Sequence, residues 1–147
     1  MRIAFFLLIS LLLFASNLEK VNKMYVNHNY KEAYKLYQKS NSVIARNNIA
    51  MMYYYGKGVN PDQAKAVGIL ENLLKKNLTK KEKSVILYNL GMMYYNGFIN
   101  NFTHKLTVDR KKAKKLIKKS AELGYMPAKN FYDKIYNKKN NNAPKKK

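Results

Sequence analysis

The feature that most constrains this chain is an internal copy. Asn48-Ile49-Ala50-Met51-Met52-Tyr53-Tyr54-Tyr55-Gly56 returns as Asn89-Leu90-Gly91-Met92-Met93-Tyr94-Tyr95-Asn96-Gly97, 41 residues on. Self-similarity at such a period marks a structural unit that cannot bury its apolar face alone and must stack on its neighbours. A second pattern follows each copy. Asp62-Gln63-Ala64-Lys65-Ala66 leads into Ile69, Leu70, Leu73 and Leu74, and Asp109-Arg110-Lys111-Lys112-Ala113 leads into Leu116, Ile117, Ser120 and Ala121. A further version lies upstream as Asn29-Tyr30-Lys31-Glu32-Ala33, with Leu36 and Tyr37 after it. Apolar residues at i, i+3 and i+4 in all three place them on one face of a helix.

Boundary signals divide the chain consistently. Asn60 ahead of Pro61 reads as an N-cap with proline in the first turn, and Asn27 and Thr107 occupy the equivalent places. Thr79-Lys80-Lys81-Glu82 reads as a capping box. Gly56, Gly97 and Gly124 read as helix stops, with Asn77 as a left-handed substitute for glycine. These signals predict one set of helices over about 43–55, 80–96 and 127–137, alternating with a second set over about 28–40, 61–76 and 108–123. A weaker helix is expected over about 17–26. The fold class expected is all-α, a short α-solenoid of antiparallel helix pairs spanning residues 16–137.

These residues together carry a family resemblance. Ala45, Ile49-Ala50, Met52-Tyr53, Gly56-x-Gly58-Val59, Asp62 and Lys65-Ala66 resemble the Sel-one-like repeat, a relative of the tetratricopeptide repeat. The second copy matches through Leu90-Gly91, Met93-Tyr94, Gly97, Asp109, Lys112-Ala113 and Lys119-Ser120-Ala121-x-x-Gly124. Ala128, Tyr132 and Tyr136 look like a last helix used as a cap. The resemblance implies a scaffold that binds proteins. Two departures stand out: Ile86 replaces a small residue, and Gly97 to Asp109 spans 12 positions where Gly56 to Asp62 spans 6.

The first residues read as an address. Met1-Arg2 supplies a short positive region, and Ile3 to Ala15 is apolar apart from Ser10. This stretch is shorter than the roughly 20 apolar residues a bilayer span takes. Residues 1–15 are therefore read as a cleaved secretory signal, with an uncleaved anchor and a buried helix as the other readings. Export to a periplasmic or extracellular space follows from the first. The chain has no Cys, so it has neither a lipid-attachment box nor a disulfide framework. Residues 138–147 form a basic tail whose composition is that of a disordered segment.

Charge narrows the partner classes. Lys and Arg number 29 against 8 Asp and Glu, a formal net charge of +21, and the arginines are Arg2, Arg46 and Arg110 alone. Lysine is a hydrated point charge and lacks the fork with which arginine reads phosphates. That scarcity of Arg, together with export, makes nucleic acid the weaker choice. An acidic protein is the expected partner, with an anionic envelope component, lipid or polysaccharide, as the alternative. Abundant Asn, Tyr, Ile and Lys also fit an A/T-rich coding bias, which is one source of such a charge.

Catalytic signatures are missing. His28 and His104 lie far apart with no Cys, which leaves no metal-ligand spacing. There is no Ser-x-x-Lys and no Gly-x-Ser-x-Gly, so the β-lactamase label borne by some relatives of the family finds no support. No glycine loop cradles a phosphate, and no cofactor is implied. Three surfaces remain as candidates. Met51, Tyr54, Tyr88, Met92 and Tyr95 are large residues in excess of the main core face, suited to a partner groove, although a helix packed on two sides also needs such residues. Lys111, Lys112, Lys114, Lys115, Lys118 and Lys119 fall within an arc of about 160° at helical spacing, either an anion-binding face or simply a solvated one. The longer second loop carries Phe102 and His104.

Overall fold

A computed structural model describes residues 20–137 apart from 22 and 26. The secretory-signal segment 1–15 and the basic tail 138–147 lie outside the described residues. Helices alternate as expected: α1 (Tyr30–Gln38), α2 (Val43–Tyr55), α3 (Gln63–Leu73), α4 (Lys80–Asn96), α5 (Arg110–Glu122) and α6 (Met126–Tyr132). The chain then tightens into a π-helical turn, Asp133–Asn137. Of the weaker helix expected over 17–26, positions 20, 21 and 23–25 are helical. Between α4 and α5 the inserted residues form an antiparallel hairpin, β1 (Phe98–Ile99) and β2 (Leu106–Thr107), with Phe98 opposite Thr107 and Ile99 opposite Leu106.

Side-chain caps open α2, α3, α4 and α5, whereas Asn29 before α1 and Tyr125 before α6 make no side-chain capping bond. Ser42 Oγ accepts from the Ala45 amide at 3.1 Å and opens α2. The capping box of α4 is complete: Thr79 Oγ1 accepts from the Glu82 amide at 3.2 Å, and Glu82 Oε2 accepts from the Thr79 amide at 2.9 Å. The other starts correct the sequence expectation. The caps are Asn29, Asp62 and Asp109, and not Asn27, Asn60 and Thr107. Asp62 and Asp109 accept from the Lys65 and Lys112 amides at 2.8 and 2.7 Å, while their own amides donate to the Tyr53 and Tyr94 carbonyls at 2.9 and 3.1 Å. Each aspartate is thus held on both sides, and Pro61 belongs to the approach that precedes the cap.

The helix stops divide in the same way. Gly56 ends α2 at φ 66°, in the left-handed conformation. Asn77 is not left-handed, because the non-glycine residues with positive φ among those described are His28 and His104. The last turn of α3 closes instead by tightening, with Lys75 and Lys76 amides donating to the Asn72 and Leu73 carbonyls. Gly58 serves a second purpose in the α2–α3 loop: at φ 73° its α-carbon passes so near the backbone of Tyr30 that a β-carbon there would sit 2.6 Å from the Tyr30 carbonyl carbon.

Two apolar clusters form the core. The larger joins Ala50 and Tyr54 of α2, Ala66, Val67, Leu70 and Leu73 of α3, Ile86, Leu90, Met93 and Tyr94 of α4, Phe98 and Ala113. The smaller joins Val21, Ala33 and Tyr37 to Ala45 and Met52 of α2. Helices α4 and α5 approach closely at Gly91, where a β-carbon would lie 2.7 Å from Ile117 Cγ1. A buried bond from Ser120 Oγ to the Ser84 carbonyl, 2.6 Å, fastens the same pair.

Candidate functional site

The two repeats carry matching polar links at their joints. In the first, Lys65 Nζ donates to Tyr53 Oη at 2.9 Å and lies 4.2 Å from that ring's centre, while Tyr53 and Tyr34 share a hydroxyl bond of 2.7 Å. In the second, Lys112 Nζ donates to Tyr94 Oη at 2.7 Å and to Glu71 Oε1 at 2.9 Å, lying 4.0 Å from the Tyr94 ring centre. Burial alone would depress Lys112 and raise Glu71. The bonds with Tyr94 and with each other reverse both, so Lys112 titrates above its ordinary value and Glu71 below. In the first joint, the bond from Lys65, followed by that from Tyr34, pulls Tyr53 below the ordinary tyrosine value. Burial and the same tyrosine pair push Tyr34 up to about 12. These groups hold the helices in register, the tyrosines and lysines bound to one another across the joints.

The large-residue stripe divides once the helices are in place. Tyr54 is a core residue, 8% exposed, and its hydroxyl donates to the Gly97 carbonyl at 2.8 Å. It is therefore not a groove residue: at i+4 from the buried Ala50, it turns into the space between α2 and the end of α4. Tyr88 and Tyr95 are half-buried under the C-terminal elements, Tyr88 against Tyr125 and Tyr95 against Phe131, with ring centres 5.3 and 5.0 Å apart. The Arg110 guanidinium covers Tyr95 at 3.8 Å. Met51 and Met92 are half-buried, and Met51 and Tyr95 pack against the larger cluster.

An open groove lies at the other end of the same helices. It holds about 430 Å³ between the N-terminal halves of α2 and α4. Val43, Ile44, Val85 and Ile86 supply apolar walls, Asn47 and Asn48 supply amides, and Thr79, Lys81 and Glu82 form an edge. Ser42 and Thr79 cap the two helices at this end, which fixes where those walls begin. Asn89 Nδ2 donates to Asn47 Oδ1 at 2.9 Å and ties α4 to α2 beside the groove. Sequence reasoning did not find this site. The signal available was Ile44, which is 45% exposed, followed by Asn48 and Met51 at helical spacing.

The six lysines of α5 divide by exposure. Lys111, Lys114, Lys115, Lys118 and Lys119 are exposed, whereas Lys112 is half-buried in the joint with Tyr94 and Glu71. Its place at the margin of the arc, next to the half-buried Leu116, explains that inward turn. Lys118 meets Glu122 at 3.7 Å, and the other four exposed lysines have no carboxylate partner among the described residues. In the hairpin, Phe102 is 94% exposed and His104 is exposed at φ 51°. Among the described residues no group of three or more His, Cys, Asp or Glu is placed to hold a metal ion. No helix there is long and apolar enough to cross a membrane.

Paired helices stacked through repeated tyrosine–lysine joints define an α-solenoid of two-helix units. The Sel1 repeat profile matches residues 23–42, 43–71 and 87–125, and the chain belongs to the Sel1 repeat family. Repeats of this kind generally build protein-interaction scaffolds. Among solved structures, a Sel1 repeat protein from Oxalobacter formigenes is similar at 18% identity with a TM-score of 0.60. That match covers 79% of this chain and 44% of the other, so this chain spans less than half of that relative's length. A comparison with curated proteins returned no match.

Proposed function

We propose that this protein is an exported helical-repeat scaffold that grips an acidic protein segment in the groove between α2 and α4. The observation that carries the reading is the groove itself: four aliphatic walls with amides between them and no partner within the described chain. Apolar walls interrupted by a few placed polar groups are what a binding cleft needs. Around it, Arg46 and Lys81 are exposed cations, while Glu82 is committed to the Thr79 cap. An acidic ligand complements that rim and the overall charge of +21. Export rests on the apolar run Ile3 to Ala15. An adaptor and an immunity-type inhibitor of an envelope toxin are the two forms such a scaffold takes here.

The test uses Ile44→Asp with Val85→Asp, which place charge in the walls without touching the core. A protein recovered from envelope extract by the wild-type chain at moderate salt should be lost by the double variant while the helical circular dichroism stays unchanged. Equal recovery by the variant would remove the groove from the reading. Recovery of nothing by the wild type would remove the scaffold role.

A second reading has its own support. Four exposed lysines of α5, without a carboxylate neighbour among the described residues, form a cationic face suited to anionic lipid or polysaccharide. It predicts salt-sensitive sedimentation with anionic vesicles, lost when Lys111, Lys115 and Lys118 are changed to Glu.

A further inference from the structure

We infer that the β1–β2 hairpin is an insertion device for an anionic membrane surface, its apolar outer face entering the interfacial layer while neighbouring cations meet lipid phosphates. The inference rests on the cationic-face reading and extends it to residues outside that face. Strand alternation puts Phe98 on the inner side of the hairpin, where it is buried, and Ile99 and Leu106 together on the outer side. An outer face turned to water is ordinarily polar. Here Ile99, Leu106 and Val108 are 44%, 63% and 43% exposed, and Phe102 stands at the tip almost wholly in solvent. Gly97 closes the patch from below, since a β-carbon there would meet Leu106 Cδ1 and Val108 Cγ2, both at 2.8 Å.

The tip is rigidly built for an element so exposed. Asn100 Oδ1 accepts from the Phe102 and Thr103 amides at 2.9 and 3.1 Å. The Asn100 carbonyl accepts from the His104 amide at 2.8 Å, and the Asn100 amide donates to the Lys105 carbonyl at 3.0 Å. The hairpin is fastened to α3 by Ile99 N to Gln63 Oε1, 2.9 Å, and by Asn101 Nδ2 to Asp62 Oδ1, 2.8 Å. Phe102 is therefore held outward by the fold, and its insertion needs little further ordering. Charge selects the occupant. Lys105 lies exposed in the hairpin and Lys111 lies exposed in the first turn of α5, four residues beyond β2, while Arg110 between them stacks on Tyr95. The acids at this edge, Asp62 and Asp109, are both occupied as helix caps. A convex apolar tip flanked by long cationic chains fits a fluid surface that deforms around it, and anionic headgroups complement those cations.

The chain contains no Trp, so Phe102→Trp creates a single reporter at the tip. The expected result with vesicles containing phosphatidylglycerol is a blue-shifted emission, quenched by lipid brominated on its acyl chains, and neither effect with phosphatidylcholine alone. Phe102→Asp should weaken vesicle binding by roughly tenfold or more, with circular dichroism unchanged. Vesicle sedimentation without a blue shift would overturn the inference and leave the cationic face standing. Failure to sediment with anionic vesicles would overturn both. Reporter emission that responds to the groove's protein partner and not to vesicles would reassign the hairpin to a protein contact and overturn the inference.

Discussion

The same substitution at two glycines should move stability in opposite directions. At Gly58 the backbone is left-handed at φ 73°, and a β-carbon would lie 2.6, 2.7 and 2.8 Å from Tyr30 C, Tyr30 O and Lys31 N. Gly58→Ala therefore incurs about 1–2 kcal/mol for an L-residue in that conformation. Overpacking against backbone that cannot rotate away adds about 1–3 kcal/mol. Together these come to roughly 2–5 kcal/mol, a large part of a typical total of about 5–15 kcal/mol. At Gly68, inside α3, a β-carbon meets nothing within 4 Å. Gly68→Ala should stabilise by up to about 1 kcal/mol through helix propensity alone. Urea unfolding followed by helical circular dichroism reads both. With a slope of about 1–3 kcal/mol per molar, Gly58→Ala should lower the midpoint by about 1 M or more, and Gly68→Ala should raise it slightly. Amide exchange should show the Gly58→Ala loss concentrated in α1, whose first turn carries Tyr30 and Lys31. A Gly58→Ala midpoint equal to wild type, or a Gly68→Ala loss of the same size, would contradict the steric account of both sites.

Two further substitutions probe the joints. Tyr54→Phe leaves the buried Gly97 carbonyl without its 2.8 Å donor and should cost about 1–2 kcal/mol by chemical denaturation; no change would mean that water replaces the hydroxyl. Glu71 has its carboxyl held below 4.5, so its contribution is present above that value and lost as pH falls through the lowered folded value. Glu71→Gln should flatten this acid limb in melting temperature against pH, by a small amount because the side chain is 40% exposed. Parallel curves for variant and wild type would count against the Lys112–Glu71 link.

The legible parts of the fold are those set by local chemistry. The repeated Met-Met-Tyr-Tyr run and its apolar spacing are enough to place α2 and α4, and Thr79 with Glu82 is enough to start α4. The caps of α3 and α5 were obscured because Asn60-Pro61 is a stronger local signal than Asp62, whose role depends on its amide reaching back to Tyr53. Strands of two residues are too short to show alternation, so the hairpin was visible only as extra length. Between the two readings of the stripe, partner groove and packing on two sides, the decision is tertiary. Whether Tyr88 and Tyr95 face a groove is decided by Tyr125 and Phe131, which arrive from the end of the chain to cover them. The groove over Ile44 and Val85 lies where nothing among the described residues arrives, and a pattern read along one helix does not reveal which neighbour is missing.

Helix α2 belongs to both apolar clusters, giving Ala45 and Met52 to one and Ala50 and Tyr54 to the other. A helix shared in this way acts as a firewall. Loosening of α1 and the segment before it strips one side of α2, but the other side stays locked against α3 and α4. The groove walls on α2 and α4 can thus keep their spacing while the N-terminal edge breathes. Whatever tethers or strains the chain from that end would reach the groove between α2 and α4 only after the first unit had already given way.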